Sequence, residues 1–266
     1  MKTKSTYLEL LEFAKRAALD AGDAILDIYE NADFGVKAKS DDSPLTIADT
    51  KAHDIIEKHL EITNIPVLSE EGASIPFAER KAWNLFWMVD PLDGTKEFIK
   101  RNGEFTVNIA LIENNEPVLG IVYAPVLKKL YFGGASVNFS KLSFENSDLD
   151  LKKNPNKNLE VVRQLSEVRV VASRSYRNKE TDDFIQTLKS PKIVSMGSSL
   201  KFMVIAEGNA DVYPRFAPTM EWDTAAADAV LRGLDYSIYQ VSQNSILDDV
   251  VRYNKESLLN PHFIAC

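Results

Sequence analysis

The chain has 266 residues, 45% hydrophobic and 26% charged, an ordinary globular composition long enough to bury a core without staples. Its net charge of −8 argues against duplex nucleic acid as a partner, and a phosphorylated ligand would need cations or a few local Lys and Arg to reverse the field. The one cysteine, Cys266, excludes an internal disulfide and fits a reducing compartment.

The opening segment carries acids where a signal peptide needs an apolar core, and no run approaches membrane-spanning length. The expectation is a soluble, cytoplasmic chain with no integral membrane segment. Leu8, Leu11, Ala14, Ala18, Ile25 and Tyr29 recur at helical spacings and predict an amphipathic helix, with Thr6 and Glu9 as its capping box. A second helix is predicted over about residues 47–60, with Thr46 as N-cap, Pro44 just ahead, and Ile47, Ile55, Ile56 and Leu60 facing inward. The pattern then changes. Residues 66–69, 85–90, 106–113, 118–123 and 130–132 read as strands, and Asn114-Asn115-Glu116-Pro117 as a hairpin turn.

The polar stretch from Ser136 to Asn158 reads as a loose connection or an exposed hairpin. It divides an α+β N-terminal half, residues 1–135, from an α/β C-terminal half, residues 136–266. In the second half, strands at 168–172, 192–195, 210–213 and 236–239 are predicted to alternate with helices at 179–188, 199–206 and 222–231.

The string Asp90-Pro91-Leu92-Asp93-Gly94-Thr95 directly follows the apolar strand LFWMV. Proline and glycine fix a tight turn, so two carboxylates can converge with the Leu92 carbonyl between them. Magnesium takes hard oxygen ligands, and such a turn supplies them. Taken alone, the string reads equally well as a polar β-turn. Glu70 and Glu71 also end a short apolar strand, and Asp223 and Asp49 stand near the starts of predicted helices. Read singly, the glutamates face water and the two aspartates complement helix dipoles. Together they form a constellation of carboxylates at the ends of regular elements. The three histidines, His53, His59 and His262, have no zinc spacing, and there is no Walker A string, no GxSxG and no reactive cysteine. What remains is water activated by metal.

Glu70-Glu71, then Asp90 to Thr95, then Trp222-Asp223-Thr224-Ala225-Ala226 resemble the signature of the lithium-sensitive inositol monophosphatase superfamily. The segments Asp41-Asp42-Ser43-Pro44-Leu45-Thr46, GTKEFIKRNGEFTVNIALI, Gly197-Ser198-Ser199-Leu200-Lys201-Phe202 and Tyr213-Pro214-Arg215-Phe216 narrow the resemblance to bacterial 3′(2′),5′-bisphosphate nucleotidases of the CysQ type. The resemblance implies a layered α/β/α/β/α sandwich with the metal site between its halves. It implies two or three Mg²⁺ held by Glu70, Asp90, the Leu92 carbonyl, Asp93 and Asp223, with Thr95 and Asp49 orienting and deprotonating the attacking water. It further implies substrate contacts from Glu70, Asp93, Gly94, Thr95, Ser198, Lys201, Arg215 and Asp223. Lys201 and Arg215, read singly, are solvated surface cations.

The implied reaction removes the 3′-phosphate of 3′-phosphoadenosine 5′-phosphate, a small nucleotide bisphosphate, giving AMP and phosphate. Alternatives are an inositol phosphate phosphatase or fructose-1,6-bisphosphatase of the same superfamily, or a non-catalytic, metal-dependent nucleotide sensor. The resemblance also allows a peripheral association with the inner membrane and a role in sulfur metabolism. Two positions depart from the family pattern: Tyr176, where many relatives carry His, and Ala227, where WDTAAG is usual.

Overall fold

The structure is a computed structural model that describes residues 3–31, 44–72, 74–144, 147–154, 158–172, 177–242 and 245–266. Helix α1 (Lys4–Asn31) buries Tyr7, Leu11, Ala14, Ala18, Ala21 and Ile25 along one stripe. The expected Thr6 cap is displaced: the Thr6 amide donates to Thr3 Oγ1 at 3.3 Å, so the helix begins a turn earlier, and Leu8 lies 38% exposed. Helix α2 (Pro44–Glu61) opens on proline, whose missing N–H costs nothing in a first turn. Thr46 is thus inside the helix rather than its cap. Ile47 turns outward, and Ala48, Ala52, Ile56 and Leu60 form the buried face.

Strand β1 (Val67–Ser69), the short helix α3 (Phe77–Arg80), β2 (Leu85–Asp93) and the short helix α4 (Thr95–Ile99) lead into β3 (Thr106–Glu113), β4 (Glu116–Ala124) and β5 (Lys129–Gly134). The β3–β4 hairpin turns on two residues, Asn114 and Asn115. Both have positive φ (52° and 66°), so Glu116 and Pro117, expected in the turn, belong to β4. The polar segment after Gly134 forms β6 (Phe139–Phe144) and β7 (Ser147–Asp150), an exposed hairpin that extends the same sheet. Seven strands pair in chain order; β1 and β2 are parallel and the rest antiparallel.

Helix α5 (Leu159–Gln164), β8 (Val168–Ala172), α6 (Lys179–Gln186), β9 (Pro191–Ser195), α7 (Leu200–Ala206), β10 (Tyr213–Arg215), α8 (Trp222–Arg232), β11 (Ile238–Ser242), β12 (Ser245–Val250) and β13 (His262–Ala265) complete the chain. Strands β8 and β9 pair in parallel, and β10-β13-β11-β12 form an antiparallel sheet. A parallel bridge from Val170 to Val212 joins the two groups. Here the predicted strand at 210–213 is shifted. Val212 makes only that bridge, and regular pairing starts at Tyr213.

Side chains alternate across β2, and that alternation defines the layers. Trp87 and Val89 pack toward α1 and α2, while Phe86 and Met88 pack with α7, α8 and the inner face of the second sheet. A third core joins the outer face of that sheet to α5 and α6 through Val162, Val168, Val170, Ile185 and Ile264. The result is the α/β/α/β/α layering that the resemblance implies. Gly120 shows how closely α8 lies on β4: a Cβ there would stand 2.0 Å from the Ala226 carbonyl oxygen. Among the described residues, no helix is long and apolar enough to cross a membrane.

Candidate metal centre

Strand β2 breaks its pairing with β3 between Asp90 and Asp93, the local effect of the Pro91-containing turn. The strand predicted over 85–90 therefore runs three residues further, to Asp93. Asp90 is 1% exposed, and its Oδ1 accepts the Leu92 amide at 3.1 Å, which curls the segment around the carboxylate. Oxygens of Glu70, Asp90 and Asp223 all lie within 4.8 Å of one another. Glu70 comes from the end of β1, Asp90 from β2 and Asp223 from the first turn of α8, so three separate elements build one cluster.

Asp93 is held from the other side. Its Oδ2 accepts from Ser198 Oγ (2.6 Å), the Ser199 amide (2.7 Å) and Asn108 Nδ2 (3.4 Å). The Ser199 hydroxyl lies 2.9 Å from that oxygen and 2.8 Å from the Asp223 carbonyl, and its single hydrogen serves one at a time. Asn108 Nδ2 also donates to Ser199 Oγ at 2.9 Å, and Thr106 Oγ1 to Asn108 Oδ1 at 3.0 Å. These contacts engage Asp93 through Oδ2, and Asp93 is not among the three residues whose oxygens lie within 4.8 Å of one another. Ser198, expected at the substrate, has its hydroxyl 2.6 Å from Asp93 Oδ2 and 2.6 Å from Thr106 Oγ1, and the two hydroxyl hydrogens of Ser198 and Thr106 are shared among Asp93, Asn108 and their mutual contact.

Electrostatics follow from that crowding. Burial pushes the Asp90 carboxyl well above the usual carboxylate range, and Asp93, Glu70, Asp223 and Asp49 push it further. Burial raises Asp223 to about 7; Asp93 and Glu70 add to the rise, while the Met220 amide, donating at 2.9 Å, and Arg215 oppose it. Glu70 sits at the open rim. Partial desolvation, Glu71 and Asp93 raise it, and a hydrogen bond with Asp90 lowers it. Asp49 is pushed up to about 8 by burial, then by Glu71 and Glu70. Because α2 starts at Pro44, Asp49 lies beyond the first turn, where a dipole-complementing acid would sit.

Gly94 adopts φ 101°, and a Cβ there would press within 3.2 Å of both Phe105 Cα and Ser198 Cβ. Thr95 follows as the exposed first residue of α4, and no hydrogen bond joins it to Asp49. Helix α4 is pinned by the ring cluster of Tyr29, Phe98 and Phe105, with centroids 5.0–5.3 Å apart. Beside the carboxylates is a cleft of about 80 Å³, lined by Asp93, Ser198, Lys201, Tyr213, Arg215 and Asp223. Lys201 Nζ donates to the Ser198 carbonyl (3.1 Å), and one Arg215 terminal nitrogen donates to the Pro218 carbonyl (3.1 Å). The two expected cations therefore flank the carboxylates instead of lying on remote surface. Ala227 is fully buried in an uninterrupted α8. Asp41 to Ser43, Ser173 to Ser175 and the Tyr176 departure lie outside the described residues.

Thr106, Asn108 and Ser199 were not assigned a role from sequence. Their signal is present, since Thr106 and Asn108 put two polar side chains on one face of an otherwise apolar strand.

Layering and carboxylate cluster together define a class, and residues 7–264 match the inositol monophosphatase family; the chain belongs to it. Members of this family depend on metal ions. Within it, the chain is 44% identical to the 3′(2′),5′-bisphosphate nucleotidase CysQ of Salmonella typhimurium, over 96% of this chain and 98% of that protein. It is 42% identical to the protein of the same name from Escherichia coli strain K12, with the same coverage. The crystal structure of CysQ from Bacteroides thetaiotaomicron superposes with a TM-score of 0.84 at 44% identity, covering 97% of this chain and 96% of that one.

Proposed function

We propose that this chain is a Mg²⁺-dependent 3′(2′),5′-bisphosphate nucleotidase that removes the 3′-phosphate of 3′-phosphoadenosine 5′-phosphate. The observation that carries this reading is near full-length identity of 44% to a nucleotidase of that name. The site fits the metal. Three carboxylates from three elements converge within 4.8 Å, and the buried Asp90 has no ion-pair partner among the described residues. Such a group is stable as an anion only beside a cation.

Glu70, Asp90, the Leu92 carbonyl, Asp93 and Asp223 would hold two or three Mg²⁺. The ions would neutralise phosphate charge, lower the pKa of water and stabilise the departing oxygen. The protein's own groups do the rest. Asp93 is immobilised through Oδ2. Asp49, half-buried near Glu70 and Glu71, would serve as the base once bound cations bring its carboxyl to the anionic form, and Thr95 passes it the proton of the attacking water. Water attacks phosphorus in line, its proton going through Thr95 to Asp49, the P–O3′ bond breaks, and the nucleoside oxygen leaves as a hydroxyl by taking a proton from a second, solvent water. Lys201 and Arg215 receive the second phosphate, Gly94 lets backbone approach the substrate, and Ser198 acts mainly by steadying Asp93. The lone cysteine fits a cytoplasmic setting.

Phosphate release tests the reading, measured with 3′-phosphoadenosine 5′-phosphate, inositol 1-phosphate and fructose 1,6-bisphosphate, each with and without Mg²⁺. Turnover of the nucleotide far above the others, lost on chelation, is expected. Preference for either sugar phosphate would reassign the substrate, and binding without turnover would make the chain a sensor.

A further inference from the structure

Glu221 is fully buried, and both carboxylate oxygens are engaged. Oε2 accepts the Asn254 amide at 2.6 Å, while Oε1 accepts the Lys255 amide at 3.0 Å and the Lys255 ammonium. Glu221 occupies the N-cap position of α8 yet makes no side-chain bond to its own helix. A Ser or Asp would cap that helix with less desolvation. The buried carboxylate instead reaches out to residues 254–260, which cross the entry to α8 as a strap.

The strap grips the turn before Asp223 at several points. The Glu221 amide donates to the Leu258 carbonyl at 2.8 Å, and Met220 and Leu259 form an antiparallel bridge. Asn260 Nδ2 donates to the Met220 carbonyl at 2.7 Å and to Thr224 Oγ1 at 3.0 Å. Buried Arg80 anchors the strap in turn, donating to Asn254 Oδ1 (2.8 Å) and to the Lys255 and Glu256 carbonyls (2.7 and 2.8 Å). Asn254 adopts φ 67°, a left-handed conformation that asparagine tolerates better than most residues. The Asn260 main-chain amide also donates to the Thr219 carbonyl at 2.8 Å, so the strap holds the very peptide unit whose Met220 N–H donates to Asp223 Oδ2.

We infer that Glu221 is a positioning residue for the metal centre. It locks the strap onto the turn at 219–222, the turn fixes the Met220 amide, and that amide orients Asp223. The inference rests on Asp223 being a metal ligand. Partners that orient a ligand typically contribute 10- to 100-fold to metal affinity. In Glu221→Gln one carboxylate oxygen becomes an NH₂ facing an amide N–H, so one strap donor loses its acceptor.

The test is Mn²⁺ binding followed by electron paramagnetic resonance, well below the melting temperature, on wild type, Glu221→Gln, Lys255→Gln and Asp223→Asn. Glu221→Gln should weaken Mn²⁺ by about 10- to 100-fold. Lys255→Gln should shift binding in the same direction by less, and excess Mn²⁺ should saturate both. A purely structural role would lower the melting temperature in chelator and leave the dissociation constant unmoved. Wild-type affinity in both folded variants overturns the inference; should Glu221→Gln not fold, wild-type affinity in Lys255→Gln does so alone. Wild-type affinity in Asp223→Asn would overturn the metal assignment beneath it.

Discussion

Asp90 stands where the pairing of β2 with β3 breaks, its carboxyl buried and four other carboxylates raising its proton affinity. Asparagine keeps its shape and removes one charge, so the effects on stability and activity should separate. Asp90→Asn should abolish Mg²⁺-dependent phosphate release and raise the melting temperature in EDTA, because the folded state no longer has to hold a proton that the unfolded chain releases. Loss of activity with a lower melting temperature would mark Asp90 as structural. As one relay for the attacking water, Asp49 and Thr95 should each matter to the chemical step, so each of Asp49→Asn and Thr95→Ala should lower kcat by about 100- to 10,000-fold with KM little changed. The double variant should lose hardly more than either single one. A multiplicative double loss would separate their roles. The clustered carboxylates are legible in sequence because Asp90 precedes Pro91, Glu70 follows a short strand and Asp223 opens a helix. The groups that hold them are less so. Ser198 reads as a substrate contact, and only folding reveals that Asp93 takes its hydroxyl. Asn254 and Asn260, more remote still, carry no local mark that ties them to Asp223.

At the scale of elements, α8 connects the two sheets and carries Asp223, so its seating on β4 matters to the site. Gly120 makes the close approach possible, since a methyl group there would meet the Ala226 carbonyl at 2.0 Å and Ala229 Cβ at 2.8 Å. Backbone cannot yield as a flexible side chain would. Gly120→Ala should therefore cost about 1–3 kcal/mol or more, seen as a melting temperature lowered by several degrees. It should also weaken Mg²⁺ stabilisation, because the displaced helix takes Asp223 with it. An unchanged melting curve would show that α8 can lift freely. The long elements follow from sequence period alone: α1, β3 and β8 appear where alternation or helical spacing puts them. Some short elements do not, although β1 and β9 lie where they are expected. Helix α4 has five residues, too few to display a period, and β13 is four residues whose pairing with β10 and β11 is entirely non-local. Helix starts err for a specific reason: Thr6 and Thr46 are good caps that lie inside their helices, beaten by Thr3 and by the proline start at Pro44.

For the whole molecule, the raised carboxyls link folding to pH. Asp49 rises from 3.8 to about 8 and Asp223 from 3.8 to about 7, with Asp90 well above its usual value. Between pH 4 and pH 8 the metal-free folded state keeps protons that the unfolded chain has already released. Unfolding then sheds protons, so stability falls as pH rises through that window. The contribution is fully present below the ordinary aspartate range and lost as pH passes through about 7 to 8. Metal reverses the trend, because it binds the deprotonated carboxylates and binds only the folded state; at 100 times its dissociation constant it adds about 2.7 kcal/mol. Melting temperatures from pH 5.5 to 8.5 should therefore decline in EDTA and hold level or rise in saturating Mg²⁺, with the gap widest at the alkaline end. General self-repulsion of a chain at net charge −8 also destabilises it as pH rises, but that slope should survive in Asp49→Asn/Asp223→Asn. The cluster's share should disappear from the double variant in EDTA, leaving a shallower profile than wild type. Parallel profiles for the two proteins would place the pH dependence outside the metal centre and leave the raised carboxyls without a role in stability.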